Sequence, residues 1–333
     1  MKKIKSLLVL LLTALTCLSS ACTGQDTVTT NLFAGSYWST ETSANLAPIN
    51  EVCVYNVTFE EADLGEGKAR LKVESFTGTL TTTFTRTAYN GTPCYKFETA
   101  FSATGQYSYK DTKSEIFTDS ATSEVYFLGL NDKFTPLYSK KYNLSTAPVV
   151  SATSEEVKFV TMEYQVETSY NLESKKATST FKGLEKSSEG YKLPDSEKVY
   201  DNYSKNSPLF DNESLLVVAR AAGFSPEKGF SGNFFTLDAI SQKIHPMRLM
   251  INSTNPTGDI ELNELKIDNL PATAKFSVYN AQIAINDEFS GSAIELFYAV
   301  NTDKDFRRLI KIKKELAYSA GYITYTLASV TTK

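Results

Sequence analysis

Apolar and polar residues alternate with a period of two along most of this 333-residue chain. That period marks strands with one buried and one wet face. In Cys53-Val54-Tyr55-Asn56-Val57-Thr58-Phe59 the odd positions are apolar. Gly65-Glu66-Gly67 interrupts the pattern, Ala69, Leu71 and Val73 resume it, and Thr79 to Thr87 forms a Thr-rich strand. Asn90-Gly91 predicts a type I′ hairpin turn, because both residues tolerate positive φ. Beyond it Tyr95, Phe97, Thr99 and Phe101 share a face, and residues 125–130 and 137–142 form a further hairpin around Asn131-Asp132-Lys133. The clearest strand covers 160–170. Val160, Met162, Tyr164 and Val166 point one way, and Thr161, Glu163, Gln165 and Glu167 the other. One wet face favours an antiparallel sheet.

Residues 173–207 are rich in Lys, Ser, Glu and Tyr with weak patterning. They predict a flexible connection, with room for a short hairpin at 178–181. After it comes the chain's one good helix, 212–222. Asp211 or Asn212 caps it, Leu215, Leu216, Val218, Ala219 and Ala222 give it an apolar side, and Gly223 stops it. About 11 residues are too few to stay helical alone in water, so the helix must pack on the sheet. Strands return at 233–237, 244–251, 275–285, 293–300, 306–314 and 322–330. Phe306, Ile310 and Ile312 are expected to face the core, as are Ile323, Tyr325 and Leu327 of the last strand.

The amino terminus changes the picture. Lys2, Lys3 and Lys5 precede an apolar run from Leu7 to Leu15, then Leu18-Ser19-Ser20-Ala21-Cys22 and a polar stretch. These are the parts of a secretory signal peptide, and the apolar run falls short of the ~20 residues that span a bilayer. Cys22 directly after Ser-Ser-Ala resembles the lipobox of bacterial lipoproteins. That resemblance implies cleavage before Cys22 and a lipid on it. An ordinary signal peptide cut nearby, or an uncleaved anchor, are the alternatives. The organisation that follows is a signal segment 1–21, a tether 22–50 and a β domain 51–333. That domain is either one unit or two halves, 51–172 and 208–333, joined by 173–207. Such a chain is exported and held by lipid on the extracytoplasmic side of a membrane.

Composition sets limits. The formal charge is −4, and removal of the three leader lysines makes it about −7, which disfavours nucleic acid as a partner. A hydrophobic content of 41% argues against disorder. With Cys17 removed and Cys22 lipidated, Cys53 and Cys94 remain, and an oxidising compartment predicts one bridge between them. Closing a loop of about 40 residues would contribute on the order of 3–4 kcal/mol. A metal or redox pair has no support, since there is no CxxC and only one histidine.

The order of elements, long hairpins, a central helix and further hairpins, ends in Leu296-Phe297-Tyr298-Ala299-Val300-Asn301 and Arg308-Leu309-Ile310-Lys311-Ile312. It resembles the exported bacterial proteins with a LolA-like open barrel. It is particularly similar to the periplasmic group called domain of unknown function 3108, across roughly 52–330. Residues 173–207 and the acidic stretch 257–268 stand apart from that pattern. The resemblance implies a mainly β fold, a strongly bent antiparallel sheet forming an open or half barrel, with one short central helix over a concave apolar face. It brings no catalytic residues and no cofactor. It implies room for an acyl chain.

Other constellations are weak. His245 is the single histidine, beside Pro246, and reads as a strand-edge residue. Asn301-x-Asp303-x-Asp305 has Phe306 and Ile312 where a calcium loop needs Gly and Glu, so it reads as a turn. Glu60, Glu61 and Asp63 read as solvated carboxylates at a strand end. No metal set and no nucleophile–base pair emerges, so an enzyme is the least supported class. The strand aromatics, with Tyr164, Phe234, Phe297 and Tyr298 as the expected ligand contacts, either line a cavity or fill a closed core. The first outcome makes the protein a non-enzymatic binder of an acyl chain or lipoprotein tail. The second makes it an envelope scaffold or surface interaction module.

Overall fold

The computed structural model describes residues 50–61, 71–130, 133–150, 156–201, 209–211, 214–221, 230–238, 242–251, 258–285, 294–299, 308–316 and 320–332. The signal segment, Cys22, Trp38 and the tether as far as residue 49 lie outside the described residues, as do Asp63, Gly223 and Phe306. The first strands are β1 (Asn50–Glu61), β2 (Leu71–Tyr89), β3 (Thr92–Tyr109), β4 (Thr112–Lys113) and β5 (Phe117–Leu130). They continue with β6 (Lys133–Val150), β7 (Val157–Asn171), β8 (Lys176–Gly183), β9 (Ser196–Asp201) and β10 (Leu209–Asp211). Helix α1 (Leu215–Ala221) follows, then β11 (Phe230–Asp238), β12 (Lys243–Ile251) and β13 (Gly258–Ile267). The chain ends with β14 (Leu270–Ile285), β15 (Ile294–Ala299), β16 (Leu309–Glu315) and β17 (Gly321–Thr332).

β1 lies mid-sheet. On one side run β2, β3, β5, β6, β7, β8 and β9, each antiparallel to its neighbour. On the other side β1 pairs with β17, and the ladder continues through β16, β15, β14, β12 and β11. β14 splits one edge between two partners: residues 270–278 pair with β13, and 281–285 with β12. β13 then meets β17 in parallel at Lys266↔Ser329 and Ile267↔Val330. Strands β13 to β17 therefore close into a five-stranded barrel, from which the remaining strands extend. The expected bent, mainly β fold with one short helix holds. Among the described residues two pairings are parallel, β13–β17 and β10–β11, where antiparallel ones alone were expected.

Sequence explains the curl. One row of directly paired residues crosses five strands: Tyr325, Val57, Gly78, Ala103 and Asp119. A Cβ on Gly78 would lie 2.6 Å from the Ala103 Cβ, so only the bare backbone lets the sheet bend this tightly. Cys53, Tyr55, Val57, Leu80, Phe84, Phe97, Phe101, Ile323, Tyr325 and Leu327 are buried on the inner face, as the alternation requires. Asn90 and Gly91 both have positive φ, 49° and 80°, as a type I′ turn demands.

Two expectations are corrected, and one stretch given no element proves to be a strand. Residues 173–207 carry β8 and β9, and the segment 184–195 between them is a strap hydrogen-bonded to β7. Leu184 N donates to Glu163 O, Ser188 N donates to Thr161 O, and Leu193 packs on Tyr164, Val166 and Phe181. The acidic stretch 257–268 is mostly strand β13. Finally, Cys53 and Cys94 are both free thiols. Cys53 pairs with Thr82 and Cys94 with Thr87, five residues apart on β2 and on opposite faces of the sheet. That offset is about 17 Å along the strand alone, against the ~7 Å limit for the Cα atoms of a disulfide. Burial pushes both thiols up from their ordinary pKa, so they stay protonated and unreactive.

Candidate functional site

The interior is built first from α1. The helix lies against β15, and Tyr298 Oη donates to the Leu216 carbonyl at 2.7 Å from within the core. Arg220, in the last helical turn, reaches Glu51 on β1 with both guanidinium nitrogens: Nη1–Oε1 is 2.6 Å and Nη2–Oε2 3.2 Å. Arg308 Nε donates to the same Oε2 at 3.0 Å. All three side chains are buried. Burial pulls the Glu51 carboxyl up, but the two guanidiniums outweigh it and hold it below its usual range. This triad pins the helix, the first strand and the start of β16 at one end of the barrel.

The helix roof leaves little space. Leu215 and Leu216 face Ile283, Ile294, Leu296 and Ile312 across an enclosed cavity of ≈ 10 Å³, about the minimum for one water. The expected ligand contacts do not converge. Phe234 and Tyr298 are buried in the main core, with Phe297 half-buried against it, while Tyr164 belongs to a separate cluster with Val166 and Phe181. Much of the inner face of β5 to β8 is polar rather than greasy. Ser123, Lys141, Asn143, Thr168 and Ser179 are buried there, partly paired as Thr99–Ser123 and Thr168–Ser179.

A second interior cluster surrounds Asp119. Its Oδ1 accepts from Thr146 N at 2.7 Å, while Oδ2 is buried without a hydrogen-bond partner, as are the hydroxyls of Tyr107 and Tyr325. Burial raises the Asp119 carboxyl from 3.8 to about 7.

Among the described residues an open concavity lies outside, at the seam where β13 meets β17. It measures ≈ 670 Å³, within the usual range for a binding cleft. Asn56 of β1, Asn263, Glu264 and Lys266 of β13, Thr273 of β14 and Ser329 of β17 supply its polar groups. Pro271, Ala272 and Ala328 supply apolar floor. Asn263 and Glu264 form an irregularity in the β13–β14 register, between Leu262 and Leu265, so their backbone leaves that ladder. Bulges of this kind re-aim side chains beside functional sites. The sequence pattern missed the cleft because its residues come from four strands and meet only in the folded sheet.

The remaining candidates resolve simply. His245 stands 3.8 Å from Asp238 near the open end of β12. Glu60 is a surface partner of Lys311 and Lys313, at 3.7 and 3.6 Å. No cluster of metal-ligating side chains occurs among the described residues.

No family model and no curated protein matches the chain. A solved structure, the β-barrel-like protein of domain of unknown function DUF1849 from Brucella abortus, superposes with a TM-score of 0.45 at 10% identity, covering 86% of this chain and 98% of that one.

Proposed function

We propose that the protein is an exported, lipid-anchored, non-enzymatic interaction module that presents the β13–β17 seam to an extended polar segment of a partner. The carrying observation is the contrast between two concavities among the described residues. The space beneath the helix is filled to ≈ 10 Å³, whereas the seam holds ≈ 670 Å³ lined by amides, hydroxyls and one charge of each sign. Such a lining suits main-chain amide recognition, with the bulge at Asn263 and Glu264 supplying backbone groups. An acyl chain or lipoprotein tail inside the barrel would need an apolar void behind α1, so that reading ranks second. It shares the anchor, the compartment and the absence of a cofactor.

The test places a photo-crosslinking residue at Thr273 and compares adducts formed in intact cells with and without Asn56→Trp, which fills the cleft. The expected result is a discrete adduct lost on filling, with an unchanged circular dichroism spectrum. An adduct indifferent to the filled cleft rejects the seam. Saturable binding of a fluorescent fatty acid by the wild type, abolished by Tyr164→Asp, would restore the interior-ligand reading.

A further inference from the structure

We infer that the tip of the β13–β14 hairpin is a membrane-contact wedge, in which Ile267 and Leu270 enter the lipid surface that holds the chain. The inference rests on the lipid-anchor reading of Cys22 and is independent of what the seam binds. Ile267 is 41% exposed and Leu270 71% exposed, high values for large aliphatic residues. They are direct cross-strand partners on either side of the turn Asp268-Asn269, whose φ angles of 48° and 69° make it a tight two-residue turn. Their side chains therefore form one contiguous apolar pair, with Pro271 next to it.

The tip is fixed, not loose. Asp268 N donates to Val330 O at 2.9 Å, Thr332 N donates to Asp268 Oδ1 at 3.0 Å, and Lys266 and Ile267 pair with Ser329 and Val330. Those contacts decide where it stands. Thr332 is the ladder partner of Glu51, so the apolar pair sits beside the point where the tether, residues 22–49, joins β1. Only 28 residues, 22–49, separate Cys22 from β1, so even full extension keeps the tip within roughly 100 Å of any surface bearing Cys22, at high effective concentration there. Ile116, also 71% exposed, follows β4 at the opposite end of the strands, near Tyr109 and Leu71. Two side chains are far too small a patch for a stable protein interface of ~1,000 Å². They suffice to steer an already tethered body into an interface. Lys266 and Asp268 offset each other, so the contact is apolar and needs no anionic lipid.

The experiment uses the protein purified from membranes, carrying Trp38→Phe and Leu270→Trp, reconstituted in phosphatidylcholine vesicles with and without brominated acyl chains. The introduced indole is then the sole tryptophan. The wedge predicts a blue-shifted emission and at least twofold quenching by bromine, both lost on proteolytic release from the tether. Solution-like emission with no quenching in the anchored protein overturns it. Fractionation of the wild type and Cys22→Ser tests the anchor separately. Should the anchor fail, the same variant bound through an amino-terminal His tag to nickel-chelating lipid gives the same readout, and absence of quenching there also overturns the wedge.

Discussion

Asp119 shows how one buried group sets a pH dependence. Its carboxyl is fully buried, near the Tyr107 phenol, and burial raises its pKa from 3.8 to about 7. A raised folded-state pKa means the folded protein prefers the acid form. The stability it contributes is complete below pH ~4 and is lost as pH rises through about 7. Three units correspond to about 4 kcal/mol at most. Urea midpoints should therefore fall between pH 5 and 8, and Asp119→Asn should flatten that slope and raise the midpoint at pH 8. An unchanged slope in the variant would show that Asp119 is not the titrating group. Glu51 acts in the other direction, since its depressed carboxyl stabilises at neutral pH and loses that contribution as pH falls. Neither role was legible in the sequence. Glu51 meets Arg220 and Arg308 at separations of 169 and 257 residues, and no local pattern marks such a meeting.

Elements were legible where one face is wet and the other greasy. Strand β7 follows its alternation, with Val160, Tyr164, Val166 and Tyr170 buried. β13 escaped because its inner residues are few, Leu262 and Leu265, and the irregularity between them shifts the phase. β8 escaped because its inner face includes Ser179, buried against Thr168. The strap at 184–195 is held partly by the absence of a side chain. A Cβ on Gly183 would collide with the Leu193 carbonyl. Gly183→Ala should therefore displace the strap and expose the Tyr164–Phe181 cluster. Amide exchange at Leu184 and Ser188 should accelerate at least tenfold while the β2–β3 ladder keeps its protection. Unchanged exchange at both amides would show that the strap tolerates the methyl group.

For the whole molecule, thiol counting predicted a covalent staple, and sheet register removes it. Cohesion comes instead from continuous pairing across the strands and from a ring closed by only two residue pairs, at Lys266 and Ile267. The position of β1 has a consequence for the life of the chain before it is folded. β2 follows β1 directly, so one side of the first strand is occupied as soon as the second is available. Its other side waits for β17 (Gly321–Thr332), which lies roughly 260 residues further along the chain. A chain made amino terminus first thus carries an unpaired edge, Glu51 to Glu61, until β17 has been made. That edge remains open to any passing strand until β17 arrives. Ending the chain at residue 320 should leave it open permanently, giving oligomers by light scattering. An added peptide spanning 321–333 should restore the monomer. If the shortened chain stays monomeric without the peptide, the last strand is not the latch.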